Sequence, residues 1–367
     1  MNRYFHPDHS ATSQIASDVA FHLARQGWEV EAITSRQRYD DARAELRSEV
    51  VQGVRVVRVW STRFGRAGLV GRAFDYATFY ASAFFALLRR RDAIVVAMTD
   101  PPLLSVVAAM ASPRVVNWIQ DLFPEVAQSL GIRMPRFVRR VRDWSLRRAR
   151  VNVVLGELMA ARVPKSVVIH NWAPVEEGGR PARQAAGTAA VLTIGYSGNL
   201  GRAHEVETIL GAIRRLPDVR FVFTGGGAKL DAIRAAGAKN VELRPYVARE
   251  QLGESLSSVD AHLVTLQPSL EGLIVPSKFY GALAVGRPVL FVGARDGELA
   301  RIIDAHRCGI VVEAGDAEGL ARAIQRLAGD REEAEAMGRR GRELYASRFA
   351  PALAFAAWER VLASVST

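Results

Sequence analysis

Residues 270–290 read Leu-Glu-Gly-Leu-Ile-Val-Pro-Ser-Lys-Phe-Tyr-Gly-Ala-Leu-Ala-Val-Gly-Arg-Pro-Val-Leu. They set a carboxylate, a Pro-Ser-Lys turn, a helix and a Gly-Arg-Pro turn ahead of an apolar strand. Pro276 suits the first turn of a helix, so Ser277 and Lys278 fall at its amino end. Backbone N–H groups, the helix dipole and the Lys278 ammonium can converge there on a diphosphate. A departing nucleotide needs such a place, because negative charge grows on the leaving oxygen and fixed positive groups stabilise it. Composition strengthens the choice of Lys278. The basic residues are nearly all arginine, and only Lys165, Lys229, Lys239 and Lys278 are lysine. A solvated surface lysine is the competing reading.

A second phosphate candidate is the run Gly198-Asn-Leu-Gly-Arg202, which follows a strand and precedes a helix starting near Glu205. Glycines at a helix start bring backbone amides close to phosphate oxygens, and Arg202 adds a forked donor. Gly225-Gly-Gly227 is a further loop of this kind, or simply a turn that needs positive φ. Asn199 and Tyr246 complete the candidate nucleotide set. No Asp-x-Asp pair and no Cys/His ligand spacing occurs, so no metal and no cofactor is expected. Of the seven histidines, His6 and His9 are close together; His170 and His204 stand alone and read as structural.

These residues need rigid elements behind them. Strand runs are predicted at 30–34, 54–59, 93–98, 115–119, 151–155 and 167–169, then at 191–195, 221–224, 241–243, 261–266, 289–292 and 310–312. Unbroken apolar strands separated by amphipathic helices mean parallel sheets covered on both faces, and the set recurs twice. At 367 residues, two doubly wound domains follow. They are expected at 1–173 and 189–349, joined by a Gly-, Pro- and charge-rich linker at 174–188. The front is unusual. Residues 1–5 run straight into the loop-like His6-Pro-Asp-His-Ser-Ala-Thr-Ser-Gln14, so the first strand of the amino-terminal domain is expected to be almost wholly missing. That loss fits a chain start lying downstream of the real one, or a sheet that tolerates the loss.

The net charge is +11, and residues 1–172 hold nearly all of it, with 25 Lys and Arg against 15 Asp and Glu. The densest cluster is Arg133, Arg136, Arg139, Arg140, Arg142, Arg147, Arg148 and Arg150, interleaved with Phe137, Val138, Val141, Trp144 and Leu146. Such a helix suits an anionic membrane surface, or is a solvated basic face. No helix-turn-helix, zinc-finger or RNA-recognition pattern is present, so nucleic acid is not the expected partner. The longest nearly apolar run, Ala77 to Leu88, is too short to span a bilayer. It reads as a buried helix or as one dipping into the membrane interface. A single cysteine, Cys308, cannot bridge internally, and no secretory leader is legible, so a cytoplasmic protein is expected.

The segment 270–290 resembles the donor-site signature of glycosyltransferase family 4 in its GT-B architecture. Further matches are residues 6–14, Thr99-Asp-Pro-Pro102, Gln120-Asp-Leu-Phe-Pro-Glu125, His170-Asn-Trp172 and Tyr196-Ser-Gly-Asn-Leu-Gly-Arg-Ala-His-Glu205. Together they cover the chain in order, and are most similar to bacterial enzymes of colanic acid and O-antigen assembly, fucosamine transferase-like proteins among them. The resemblance implies an α/β fold of two facing Rossmann-like domains. The second binds a nucleotide-sugar and the first a lipid-linked acceptor, with the carboxyl-terminal helix 350–367 packing back on the first. It also implies retention of anomeric configuration without metal, on the inner face of the cytoplasmic membrane, in polysaccharide biosynthesis. Glu271 follows the first glutamate of the family's pair. The second is absent, because Phe279 or Gly281 stands at its spacing, and Glu298 is the candidate replacement. Gln120 stands where many members carry histidine, which makes Asp121 the candidate to orient the acceptor hydroxyl. The rival readings are a nucleotide-sugar epimerase on the same fold and a non-catalytic subunit that recruits a transferase to the membrane.

Overall fold

The structure, a computed structural model, describes residues 1–39, 41, 43–65, 68–90, 92–175 and 191–366. It divides into two compact units, Met1–His170 with the tail from Ala352, and Asn171–Pro351. Residues 176–188 of the expected linker lie outside the described residues.

The first unit runs α1 (Ala11–Arg25), β1 (Glu31–Ser35), β2 (Glu49–Val51), β3 (Val54–Val59), α2 (Leu69–Leu88), β4 (Val95–Ala97), α3 (Leu104–Ala111), β5 (Val115–Trp118), α4 (Glu125–Ser129), α5 (Arg136–Arg148), β6 (Val151–Val154), α6 (Glu157–Ala160) and β7 (Ser166–Val168). Its strands form one sheet ordered β1-β3-β2 and another ordered β4-β5-β6-β7, parallel throughout except for β2. That antiparallel edge strand departs from the all-parallel expectation. It is a hairpin turned at Gln52-Gly53, both with positive φ, and its Val50 is exposed. Residues 1–5 form no strand, yet they bridge the two sheets. The Met1 nitrogen donates to Val96 O and the Arg3 amide to Asp100 O, while Arg3 O accepts from the Ser35 amide and Thr34 Oγ1. This short segment takes the place of the missing strand. Behind it, the Arg3 guanidinium is buried, donates to Gln37 Oε1, and lies 3.5 Å from Asp75, whose oxygens also accept from Thr62 Oγ1 and the Phe64 and Gly65 amides. A buried charge persists only when paired and hydrogen-bonded, and this one is.

The two faces are covered differently. Phe5, Phe21, Val54 and Val56 bury α1 on one side. Ile33, Ala83, Leu87, Val95, Ala108 and Ala149 bury the layer α2–α3–α5 on the other. The second unit runs β8 (Thr193–Asn199), α7 (Glu207–Arg215), β9 (Arg220–Gly226), α8 (Leu230–Ala235), β10 (Val241–Arg244), α9 (Leu252–Ser257), β11 (Ala261–Thr265), α10 (Lys278–Ala284), β12 (Val289–Gly293), α11 (Glu298–His306), β13 (Gly309–Glu313), α12 (Ala317–Gly329) and α13 (Arg331–Leu344). All six strands are parallel, in the order β10-β9-β8-β11-β12-β13. Counted from β8, this is the doubly wound order 3-2-1-4-5-6, whose switch point lies between β8 and β11. Two starts differ from expectation. Pro276 precedes the cap of α10 instead of entering its first turn, and α7 begins at Glu207.

The last helix, α14 (Pro351–Ser366), sets Trp358 with no exposed surface against Trp118 of β5, ring centroids 4.5 Å apart. Beside it, Phe355 stacks on His22 of α1 and Glu359 bonds the His22 ring at 2.6 Å. Trp358→Ala empties a large buried volume. Denaturant unfolding is expected to show a loss of about 3–5 kcal/mol in the first unit, with nucleotide binding by the second unit unaffected.

Candidate active site

In an open α/β sheet the ligand crevice lies at the carboxyl ends of strands flanking the switch point. Here those ends are Gly198-Asn199 of β8 and Thr265 of β11, and Lys278 is placed against them. Its Cε passes 3.2 Å from the position a Cβ on Gly198 would take, and its Nζ lies 5.3 Å from the centre of the Tyr196 ring. A Cβ at 198 would oblige the lysine to give by a few tenths of an ångström, and the φ of +112° there disfavours any L side chain.

The third neighbour of the ammonium is His204. The His204 Nδ1 lies 2.7 Å from Thr265 O, a carbonyl, so Nδ1 carries the hydrogen and Nε2 presents a lone pair. That Nε2 lies 3.3 Å from Lys278 Nζ and accepts from it. Burial first, then the Lys278 charge, lowers the imidazole to about 3, so it is neutral at ordinary pH. Burial lowers Lys278 itself to about 8. Lys229 is used otherwise, donating to His204 O and fixing the loop. Sequence reasoning read His204 as a lone structural histidine. The signal it passed over was the position, six residues after Gly198 in the loop that follows the first strand of the unit.

The glycines of the second loop have a packing reason. A Cβ on Gly225 (φ +130°) would stand 2.4 Å from Gly198 O, and one on Gly227 (φ +123°) 2.5 Å from Leu200 O. The ends of β8 and β9 therefore approach backbone to backbone. The half-exposed Tyr246 ring lies over Gly226, 3.1 Å from a Cβ position there, and Tyr196 Oη donates to Asn199 O. Gly198, Asn199, Gly225, Tyr246 and Lys278 are thus brought to one end of the sheet. Ser277 caps α10 beside Lys278 without a side-chain cap bond. Arg202 is exposed on the same loop, and its carbonyl accepts from Gln267 Nε2.

Glu271 and Glu298 form a second group. Glu298 opens α11, and its amide donates to Glu271 Oε2 at 3.2 Å. Gly297 allows this, since a Cβ there would meet Glu271 Oε1 at 2.4 Å. The carboxylate expected beside the donor sugar thus also completes a helix start. Burial, together with the Glu298 and Asp296 charges, outweighs that amide bond and lifts Glu271 to about 7. The two positions that replace the second glutamate both face the core. Phe279 is wholly buried against Phe349, and Gly281 leaves only 3.2 Å to Leu256. Neither position is open to a ribose.

Asp121 belongs to the first unit, just past β5. Desolvation, and then the Asp100 charge, raises it to about 6, although its side chain is exposed enough for solvent to damp the shift. A cavity of about 450 Å³ also lies in this unit, under α5, lined by Glu125, Arg139, Arg142, Asp143, Arg147 and Arg162. Its acids already pair with Arg139 and Arg142, and it shares no residue with the Lys278 cluster.

Residues 191–330 match the family described as "Glycosyl transferases group 1", and residues 11–168 match "Glycosyl transferase 4-like domain". A protein of Pseudomonas aeruginosa named as a probable glycosyltransferase, WbjE, is 30% identical over 286 residues, covering 70% of this chain and 71% of that protein. WcaI of Escherichia coli, named for a glycosyl transferase of colanic acid biosynthesis, is 28% identical over 137 residues, 35% of this chain and 34% of that one. Among solved structures, sucrose-phosphate synthase from Thermosynechococcus elongatus superposes with a TM-score of 0.79 at 16% identity, covering 99% of this chain and 95% of that one. HepE of Anabaena, solved with UDP, gives 0.68 at 13% identity over 98% of both chains. These likenesses bear out the GT-B fold.

Glu271 yields a pH test. Its carboxyl in the fold lies above the ordinary value of 4.5, so folding favours the protonated form. That contribution is complete below about 4.5 and is lost as pH rises through about 7. Thermal unfolding from pH 5 to 8 is expected to show Glu271→Gln gaining on the parent as pH rises. Parallel curves would place the Glu271 carboxyl at its ordinary value.

Proposed function

The chain belongs to glycosyltransferase family 4, and from that premise we propose that it carries a sugar from a nucleoside-diphosphate sugar to a lipid-linked acceptor, with retention and without metal. The observation that carries the donor half is the Lys278 ammonium at the switch point, held, among the described residues, by neutral partners only. A diphosphate seated there meets an uncompensated positive charge in a partly desolvated setting, where it acts more strongly than in water. Arg202, exposed on the neighbouring loop, supplies a second donor. The bond from the anomeric carbon to the diphosphate oxygen breaks with its electron pair while the acceptor hydroxyl oxygen bonds the same face of the sugar. The hydroxyl proton passes to the departing phosphate oxygen. The step runs through an oxocarbenium-like state with no protein nucleophile. Asp121 is the candidate for orienting the acceptor, and Glu271 for the donor sugar.

The name of WcaI, a glycosyl transferase of colanic acid biosynthesis, supports a place in polysaccharide assembly, and that of WbjE supports sugar transfer. The basic helix α5, where Phe137, Val141 and Trp144 are exposed at i, i+4 and i+7 among exposed arginines, supports a peripheral place on the inner face of the cytoplasmic membrane. The epimerase reading is separated from transfer by product analysis with donor alone, since an epimerase needs no acceptor.

Lys278→Ala is expected to lower turnover by well over tenfold, because a charged hydrogen bond is worth about 1.5–3 kcal/mol. In the parent, UDP, GDP or TDP binding measured by calorimetry is expected to weaken as pH rises through about 8, where the ammonium is lost. Lys278→Arg is expected to remove that break. Unchanged turnover in Lys278→Ala would take the residue out of the site.

His204 is tested separately. His204→Leu removes the acceptor and is expected to weaken diphosphate binding about tenfold, the scale of one hydrogen bond to a charge. His204→Gln keeps an acceptor for Lys278 and a donor for Thr265 O, and is expected to restore most of the affinity. Binding of the nucleoside alone is expected to change in neither.

A further inference from the structure

The sequence leaves open whether the apolar run in α2 is buried or dips into a membrane interface, and the structure shows one face of it uncovered. Val70, Phe74 and Phe85 are 73%, 55% and 63% exposed, with the exposed Ala73, Ala77 and Ala81 between them. At helical spacing these residues make one unbroken apolar row along a 20-residue helix, roughly 30 Å long. Phe64, also exposed, extends the row with its ring 6.2 Å from that of Phe74. The helix carries two charged residues, Arg72 and Asp75, and Asp75 is wholly buried in the Arg3 network. Among the described residues no helix is long and apolar enough to cross a membrane.

Charge identifies what covers this row. Helices α2, α3 and α5 lie side by side as one layer. Ser105 Oγ and Ser145 Oγ are 2.9 Å apart, and Arg148 Nε donates to Ala109 O, which locks α3 to α5. Met110 of α3 is exposed on the same layer as the α5 stripe. Over the three helices the acids are the buried Asp75 and Asp143, the latter paired with Arg142; against them stand seven arginines, six of them on α5. An apolar row on α2 and a basic helix α5 on the far side of α3, with no free acid on the three helices, complement a surface that is apolar inside and anionic outside. A protein partner of ordinary composition offers no such division.

We propose that the outer face of α2 inserts into the acyl boundary of an anionic bilayer while the α5 arginines rest among its headgroups. This rests on the reading that the first unit works at a membrane, and adds which element enters it. The helix lies in the plane of the interface, with Phe74 and Phe85 as anchors about three turns apart.

The full chain is tested with vesicles of phosphatidylcholine and of phosphatidylcholine with phosphatidylglycerol. Cys308 is buried and does not compete for label, so single cysteines at positions 74, 85 and 137 can carry an environment-sensitive fluorophore. Labels at 74 and 85 are expected to shift to the blue on anionic vesicles and to be quenched by lipids spin-labelled in the acyl chain. Phe74→Ser with Phe85→Ser is expected to lower partition by at least about tenfold, with UDP-induced thermal stabilisation retained as the check on folding. Arg140→Glu with Arg147→Glu is expected to abolish the preference for anionic vesicles. Water-like labels at 74 and 85 beside a shifted label at 137 would overturn the insertion of α2 and leave membrane contact standing. No binding to either vesicle would overturn both. If the serine variant halves the sedimenting mass and leaves partition unchanged, a second copy covers the row and the proposal fails.

Discussion

The candidate site of the second unit depends on keeping one ammonium charged where water is scarce. Lys278 has no carboxylate partner among the described residues; its neighbours are an imidazole lone pair, an aromatic face and a glycine. The first two stabilise a cation without cancelling it, and the glycine leaves room for the lysine stem. A salt bridge would have held the lysine more firmly, but an incoming diphosphate would then have to displace a carboxylate. The cost of the actual arrangement is visible in the depressed basicity of Lys278. The histidine can fill this role only because Thr265 O fixes its hydrogen on Nδ1; with the other tautomer an N–H would face the ammonium.

That arrangement constrains the backbone around it. Lys278 reaches the sheet end only across Gly198, Gly198 O closes over Gly225, and Gly227 closes over Leu200. Gly198 gives room to Lys278, Gly225 to the backbone of Gly198 and Gly227 to that of Leu200, and the conformations of Gly225 and Gly227 are strained for any L side chain. Phosphate-loop glycines are usually explained by approach of the ligand. In this chain the approach of one strand end to the other suffices, so glycine at 225 and 227 is not by itself evidence of a phosphate.

Much of this was legible in the sequence, for identifiable reasons. Runs such as Val289–Val292 and Phe221–Thr224 are buried on both faces, and an unbroken apolar run states that directly. Strand β2 was not legible, because Glu49-Val-Val51 is a half-exposed edge whose existence depends on the turn at Gln52-Gly53. Lys278 stood out by its type against a background of arginine. His204 did not, because a histidine acquires its role from the atoms facing its two nitrogens, and Thr265 and Lys278 are 61 and 74 residues away. Glu271 stood out as a carboxylate seven residues before Lys278 in the chain; its bond to the start of α11 was not legible, since it depends on the absence of a side chain at Gly297.

The uneven charge of the chain now divides into two kinds of electrostatics. Counting arginines between 133 and 150 treats them alike, yet Arg142 is buried and fully engaged by Glu125, Asp143 and Phe123 O. It holds α5 in place and contributes little to the field outside. The exposed arginines of α5 act through solvent, over a distance of about 8–10 Å that salt shortens. Lys278 acts in a unit whose net charge is near zero and in a place salt hardly reaches. A diffuse basic face suits a partner recognised by surface charge alone. A single desolvated ammonium aimed by neutral groups suits one defined anion in one orientation. The sequence distributes these two demands to different halves of the chain, and the fold keeps them in separate units.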